Sequence, residues 1–299
     1  MGINKQTLEV LLNENQHKNI TGTFLCTGRH TVNIDKFTII NLFNKYHLPT
    51  EKVEFYYEKQ CFDNITRHCN SSLLDSDLLS SFCNAEYHCL DRSEYEGANI
   101  IHDMNTPVPD SLHGKYDFIY NGSCMDNMFN PASFIFNTSK MLKEGGRILH
   151  IECATGVSGA YLMFSPEWFF SYYAINNFKD CKVYVTVARE KGTNRHIYDT
   201  DLYSWQPYFT RQLDYDDIEA CKSINGLMHV IVLAEKGKES TSSVAPIQMQ
   251  YLDESTTDWR KQYKKFQQSK RPLIRLLQKK ENSELPFLTD HYSYLGSGF

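Results

Sequence analysis

Polar residues and glycines follow four apolar runs of the chain, at the places where predicted β-strands end. They are Thr27, Gly28 and Arg29 after the first run, Asp91 and Arg92 after the second, Asp103 and Met104 after the third, and Asn121, Gly122 and Ser123 after the fourth. A glycine allows a ligand to approach the backbone closely, and a strand-terminal carboxylate can accept hydrogen bonds from both hydroxyls of a ribose. These residues are therefore our candidates for ligand binding.

The elements that must position these residues alternate between strand and helix. Apolar runs typical of strands occupy 20–26, 85–91, 98–103, 116–120 and 147–151, and helical periodicity occupies 5–13, 35–46, 73–82 and 131–142. The alternation predicts an α/β fold, a Rossmann-like three-layer sandwich whose mainly parallel sheet reaches seven strands with 182–188 and 226–234. Ligands bind such sheets outside the carboxyl ends of the strands, where the strand order reverses.

One alternative assignment remains open at the second strand. Residues 53–57 have β-forming side chains and could form a strand of their own. In that case Glu58, at the end of this run, would replace Asp91 as the ribose ligand.

Taken in order, these features resemble the class I S-adenosylmethionine-dependent methyltransferases, and more narrowly a bacterial branch of that superfamily. Members of the branch contain approximately LGRQ, D-x-S-x-YEGA, HDLN-x-P-x-P, EHVFN, LKxGG and FSPE-[LW]-F. This sequence has CTGRH at 26–30, DRSEYEGA at 91–98, HDMNTPVP at 102–109, MDNMFN at 125–130, LKEGG at 142–146 and FSPEWF at 164–169. The match covers roughly residues 20–180.

The resemblance implies S-adenosyl-L-methionine as the cofactor and a small-molecule or carbohydrate acceptor, as in proteins of glycan biosynthesis. It places Gly28 against the cofactor, Asp91 at the ribose and Asp103 at the adenine amino group. Most members of the superfamily have several glycines after the first strand, whereas Gly28 stands alone here. The other interpretation of Gly28 is a simple turn glycine.

The segment after the fourth run is where donor and acceptor meet in this superfamily, so Asp126 and Asn127 are predicted to contact the acceptor. Relatives often have Glu-His at these two positions, and asparagine cannot act as a base near neutral pH. Asp126 is therefore our catalytic candidate, as a residue that orients or deprotonates the acceptor. Positioning of the reactants accelerates an in-line displacement even without a strong base.

An aromatic segment follows the fifth run and offers the walls of an acceptor pocket. Tyr161 and Phe164, which precede the predicted helix, are the candidates for substrate binding. Trp168, Phe169 and Tyr172 are expected to pack in the core instead. The histidines and cysteines show no spacing that could chelate one ion, so we predict no metal site.

Composition and charge limit the remaining possibilities. The 299 residues carry a net charge of −5, and this balance argues against a nucleic-acid-binding protein. The nine cysteines form no CxxC pair, which is typical of reduced thiols, and no signal peptide or transmembrane segment is expected, so we predict a cytoplasmic protein.

The last part of the chain differs in composition from the rest. We expect one domain over 1–237, followed by a linker and a basic, helical extension over 238–299. Residues 260–280 contain nine Lys and Arg and no acid, so the rest of the chain has a net charge of −14. The extension could contact an anionic membrane surface through 259–280, or pack through Trp259, Tyr263 and Phe266 against the acidic body.

The function expected from the sequence is methyl transfer from S-adenosylmethionine. The first alternative is a catalytically inactive binding module of the same fold, suggested by the single glycine and by Asn127. A less favoured alternative is an α/β enzyme that processes nucleotide sugars.

Overall fold

The computed structural model describes residues 2–66, 71–155, 159–190, 198–207, 227–248, 259–269, 271, 274 and 292–297. These residues contain seven α-helices and nine β-strands, and the chain divides into two compact units. Unit 1 is Met1–Leu149 and unit 2 is His150–Phe299. The division predicted at 237/238 stays a prediction.

Unit 1 alternates between helices and strands. Its helices are α1 (Lys5–His17), α2 (Lys36–Lys45), α3 (Glu51–Glu58), α4 (Asp75–Ser80) and α5 (Pro131–Met141). Its strands are β1 (Thr21–Thr27), β2 (Asn84–Asp91), β3 (Ile100–Ile101), β4 (Tyr116–Gly122) and the first part of β5 (Leu142–Cys153).

Side chains at the helix ends fix where the helices of unit 1 begin. Asn4 accepts a hydrogen bond from the backbone amide of Thr7 at 2.9 Å, and Asp35 accepts one from that of Thr38 at 2.9 Å. The Asn130 side chain caps α5. Pro131 follows in the first turn, where its missing N–H costs nothing because an amide at this position has no partner within the helix. These caps satisfy amide groups that have no partner within the helix.

The strands of unit 1 follow the order β3-β2-β1-β4-β5. β1 pairs in parallel with both β2 and β4, and β2 pairs in parallel with β3. This is the order of a doubly wound α/β sheet, so the predicted fold class is confirmed. β2 and β3 lie on one side of β1, and β4 and β5 lie on the other, so the strand order reverses between β1 and β4.

A buried ion pair lies near the amino-terminal ends of the strands in unit 1. Arg147 donates to Glu14 Oε1 at 2.6 Å and to the carbonyl of Asn19 at 3.2 Å, and its guanidinium lies 5.3 Å from the ring centre of Phe118. Both charged side chains are buried, so each compensates the desolvation of the other.

Unit 2 contains the end of β5, helix α6 (Pro166–Ile175), strands β6 (Asp180–Glu190), β7 (Tyr198–Trp205), β8 (Leu227–Glu235) and β9 (Tyr292–Ser297), and helix α7 (Trp259–Gln267). Its strand order is β5-β8-β6-β7-β9. β6 pairs antiparallel with β7 and β8, and β9 pairs antiparallel with β7.

The aromatic face of α7 packs against α6 within unit 2. Tyr263 and Phe266 lie 5.6 and 5.7 Å from Phe170, measured between ring centres. Arg271, just after α7, places its Nε 2.9 Å from Asp180 Oδ2 and its Nη2 3.5 Å from Glu235 Oε2, and all three charged groups are buried. The extension thus packs on acidic residues of its own unit; the side chain of Trp259 lies outside the described residues.

Three sequence expectations about the elements are wrong. Residues 53–57 belong to helix α3, in which only Val53 is buried, so the strand that would have ended at Glu58 does not form. The described residues contain nine strands and not seven, because the segments that form β7 and β9 were not predicted as strands from the sequence. Two aspartates in β7, and glycine with two serines in β9, weaken the strand signal.

Two further sequence expectations concern helices. The sequence also predicts a short helix near 216–221, and this segment lies outside the described residues. Within the described part of the chain, no helix is both long enough and apolar enough to span a bilayer.

Replacement of Phe266 by alanine tests the packing of α7. Phe266→Ala should lower the free energy of unfolding by about 3–5 kcal/mol, because a buried ring is lost and a cavity remains. Urea unfolding followed by circular dichroism measures the change, and Lys264→Ala on the exposed side of the helix should stay within about 0.5 kcal/mol of wild type. A loss below about 1 kcal/mol for Phe266→Ala would contradict the packing of Phe266 against Phe170.

Candidate functional site

The candidate site lies at the carboxyl ends of the parallel strands of unit 1. β1 ends at Thr27 and β4 at Gly122, on the two sides of the point where the strand order reverses. A crevice forms at such a point because the connections from neighbouring strands leave toward opposite faces of the sheet.

Gly28 brings the ends of β1 and β2 together. Its amide donates to the carbonyl of Leu90 at 2.7 Å, and its φ of +78° lies in the left-handed region that favours glycine. A Cβ atom placed on Gly28 would meet Asp91 Oδ2 at 3.9 Å and nothing nearer among the described residues. The predicted pair of Gly28 and Asp91 is therefore adjacent, with open space beside the glycine.

Thr27 and Asn121 join β1 to the segment after β4. Both side chains are buried, and the Thr27 hydroxyl donates to Asn121 Oδ1 at 3.1 Å. The same oxygen accepts the amide of Cys124 at 3.2 Å. These two predicted cofactor residues thus contact each other beneath the site.

Arg29 makes its contacts within the protein. Its Nε donates to the Asp75 carboxylate at 2.8 Å, and its Nη1 donates to the carbonyl of Glu96 at 3.1 Å. Burial lowers the pKa of Arg29, but the nearby Asp75 carboxylate outweighs this effect and the net shift is upward. Arg29 therefore stays charged and held by protein groups, and Asp75 had not been singled out from the sequence.

Asp91 and Asp103 both end or follow strands of the sheet, as predicted. Asp91 is half-buried and accepts the amide of Arg92, whose exposed guanidinium places Nε 3.9 Å from Asp103 Oδ2. Asp103 accepts the backbone amide and the side-chain amide of Asn105, both at 2.9 Å, and these bonds lower the pKa of its carboxyl. Asp103 is therefore ionised at neutral pH, and Met104 beside it is buried.

The backbone after β3 is held by Asn137, a buried residue of α5. Its Nδ2 donates to the carbonyls of Met104 at 3.2 Å and Thr106 at 2.7 Å, and its Oδ1 accepts the amide of Val108 at 3.0 Å. Sequence reasoning missed this residue, because an asparagine within a helix gives no sign of a distant partner.

The segment after β4 points its acidic group inward. Asp126 is fully buried and accepts hydrogen bonds from the Ser123 hydroxyl and from Asn127 Nδ2, the latter at 2.7 Å. The same Asn127 nitrogen donates to the Ser123 carbonyl at 3.0 Å. Ser123 has a φ of +62°, so this network holds a strained backbone. The geometry favours an orienting role for Asp126 over proton abstraction.

Gly122 is required by the packing under this segment. A Cβ on Gly122 would overlap the hydroxyl of Tyr120 and would lie 2.9 Å from His30 Cε1. The rings of His30 and Tyr120 lie 4.6 Å apart, between centres. Gly122 therefore serves the packing of two rings, whatever it contributes to a ligand.

Two exposed rings lie near the site and were not predicted as ligands. Phe129 is 91% exposed and precedes Asn130, whose amide donates to Asn105 Oδ1 at 3.0 Å. Tyr95, in the segment after β2, is 74% exposed. Large exposed apolar groups beside a crevice often mark a binding surface.

The predicted acceptor residues Tyr161 and Phe164 belong to unit 2 and differ in environment. Tyr161 is 75% exposed, whereas Phe164 is 5% exposed and packs against Trp168 and Phe169 at 5.0 and 5.5 Å between ring centres. Phe169 is buried as expected, whereas Trp168 in the same aromatic cluster is half-buried. Among the described residues, no group of three His, Cys, Asp or Glu could hold a metal ion.

Comparison with known proteins gives matches only at the level of solved structures. No protein-family model matches the chain, and no curated protein matches it. The chain is similar to Haemonchus contortus phosphoethanolamine N-methyltransferase 2, at 11% identity and a TM-score of 0.40, over 77% of this chain and 52% of that one. It therefore spans about half the length of that relative.

Two further structures show similar values. A SAM-dependent methyltransferase from Archaeoglobus fulgidus has 10% identity and a TM-score of 0.40, with 78% of this chain and 94% of that chain covered. Burkholderia thailandensis 1,6-didemethyltoxoflavin-N1-methyltransferase has 8% identity and a TM-score of 0.36, with 78% of each chain covered.

Replacement of Asn137 tests how the backbone after β3 is held. Asn137→Ala leaves two carbonyls and one amide without this partner, so the free energy of unfolding should fall by about 2–4 kcal/mol. Hydrogen–deuterium exchange at the Val108 amide should become faster. Asn176→Ala is the matched control, because Asn176 bonds to Thr241 and Val244 in unit 2 in a similar way. Unchanged protection of Val108 would contradict this account.

Proposed function

We propose that the chain binds S-adenosyl-L-methionine at the carboxyl edge of unit 1 and transfers its methyl group to a small-molecule acceptor. The adjacency of Gly28 and Asp91 at the reversal of strand order is the observation that carries the proposal. It places an open stretch of backbone beside a half-buried carboxylate, as recognition of a nucleoside requires. The sequence motifs that resemble class I methyltransferases support the choice of cofactor.

The residues of the site fit the parts of this cofactor. Asp91 keeps one carboxylate oxygen toward Gly28, where it can accept the hydroxyls of a ribose. Asp103 is ionised and can accept from the adenine amino group, and Met104 beside it is apolar. Thr27 and Asn121 hold the ends of β1 and β4 together beneath the cofactor.

When bound, S-adenosylmethionine supplies a methyl group on a positively charged sulfur. The chain's own residues then have to bind and orient the two reactants, since an in-line displacement gains most of its acceleration from their placement. Asp126 and Asn127 hold the segment after β4, through which the acceptor would be oriented. Phe129 offers an exposed apolar ring on the same segment.

We propose a sugar or another small molecule as the acceptor, for which Phe129 of unit 1 provides an exposed ring. The motif resemblance to proteins of glycan clusters supports a carbohydrate, and a cytoplasmic location agrees with that chemistry.

Calorimetric titration with S-adenosylhomocysteine tests the proposal. Wild type should bind this product, and no heat of binding at millimolar ligand would overturn the assignment. Asp91→Ala should weaken binding by about 10- to 100-fold, because a charged acceptor of hydrogen bonds is lost. Asp110→Ala is the control, since the Asp110 side chain is 100% exposed and should leave the affinity unchanged.

A binding module without turnover is the second candidate function. It is favoured by one observation, the full burial of Asp126 with hydrogen bonds from Ser123 and Asn127, which argues against Asp126 as a catalytic base. Binding of S-adenosylhomocysteine without methyl transfer to any of a panel of sugar and small-molecule acceptors would support this candidate. Methyl transfer to one of them would reject it.

A further inference from the structure

The backbone after β1 contains one glycine and is held by a carboxylate from another part of the chain. Asp75, in the first turn of α4, is 0% exposed. Its carboxylate accepts the amide of His30 at 2.9 Å and the Nε of Arg29 at 2.8 Å. It also accepts the Tyr87 hydroxyl and the Ser76 amide, each at 2.9 Å. One buried group thus joins the segment after β1, helix α4 and strand β2.

Arg29 extends this connection to the segment after β2. While Nε and Nη2 contact Asp75, Nη1 donates to the carbonyl of Glu96 at 3.1 Å. Gly97 follows, with a φ of +77°, and a Cβ there would meet Arg29 Nη1 at 3.7 Å. The guanidinium therefore bridges the two segments that carry Gly28 and Asp91.

Two nitrogens of Arg29, Nε and Nη1, donate hydrogen bonds within the protein, and the third, Nη2, is buried in an ion pair with Asp75. Nη2 lies 2.8 Å from Asp75 Oδ1 and 4.0 Å from Asp63 Oδ2. A ligand could recruit this side chain only by breaking contacts between buried charges, which is costly. Arg29 was predicted from the sequence to bind the cofactor directly, and this geometry favours a different role.

We propose that Asp75 and Arg29 are positioning residues that fix the distance between Gly28 and Asp91 before a nucleoside ligand binds. The proposal rests on the proposed function. Where loops with several glycines can adapt to a ligand, the Asp75–Arg29 pair holds a loop with one glycine in a single geometry. A site that is already arranged loses less conformational entropy on binding, so affinity depends on the pair although neither residue need touch the ligand.

A second buried ion pair of unit 1, between Arg147 and Glu14, provides a control that distinguishes a positioning role from a purely stabilising one. Arg147 and Glu14 are both buried and bonded at 2.6 Å, and Arg147 also bonds to the Asn19 carbonyl. Asn19 precedes β1, so this pair lies at the opposite ends of the strands from Gly28. Its loss should destabilise unit 1 without moving the candidate site.

The experiment compares Arg29→Lys with Arg147→Lys. Lysine keeps the positive charge but has one nitrogen, so it cannot reach Asp75 and the Glu96 carbonyl together. Arg29→Lys should weaken S-adenosylhomocysteine binding by about tenfold in calorimetry. Both variants should lower the melting temperature by similar amounts, but Arg147→Lys should keep the wild-type affinity. Equal affinities for wild type and Arg29→Lys would overturn the proposal.

Hydrogen–deuterium exchange without ligand tests the pair independently of the proposed function. Arg29→Lys should speed exchange in peptides covering 27–34 and 91–98, and Arg147→Lys should not. If wild type binds no S-adenosylhomocysteine while this exchange pattern appears, the proposed function fails and the positioning of the two segments stands. If exchange in both peptides is unchanged, the positioning role is rejected.

A milder variant covers the case in which Arg29→Lys does not fold. Tyr87→Phe removes one donor to Asp75 and keeps the ring. It should speed exchange over 27–34 and weaken S-adenosylhomocysteine binding by about threefold. Unchanged exchange and affinity in Tyr87→Phe would count against the proposal.

Discussion

A fully buried carboxylate needs hydrogen-bond donors from every side, and this requirement at Asp75 fixes much of unit 1. Its donors come from Arg29, His30, Ser76 and Tyr87, which lie on three different elements. None of them can move far without leaving a negative charge unsolvated. The geometry of the segment after β1 therefore depends on Asp75, a residue that is distant from this segment in the sequence.

The strand ends could be predicted from the sequence because each follows an apolar run that the sheet has to bury. Gly28, Asp91 and Asn121 were placed correctly at those ends, and the structure puts Gly28 beside Asp91. The partnership of Arg29 with Asp75 could not be predicted, since the two residues are 46 positions apart and an aspartate at the start of a helix has an ordinary explanation. Local patterns report which face is buried; they do not report which buried polar groups meet.

The errors in the sequence interpretation have the same physical origin. Residues 53–57 are β-forming by type, yet they form helix α3, where Val53 alone is buried and the aromatic residues are partly or fully exposed. Strand β7 was missed because pairing with β6 and β9 outweighs the low strand propensity of its two aspartates. In each case tertiary contacts decided what composition left open.

The attachment of helix α7 changes how the charge of unit 2 is distributed over its surface. Asp180 and Glu235 are covered by Arg271, while Lys261, Lys264 and Lys265 of the same extension stay exposed. Two acids are thereby paired with a buried arginine, and the same extension carries three exposed ammonium groups. The extension therefore adds exposed positive charge to unit 2 while it neutralises two buried acids, although the whole chain has a net charge of −5.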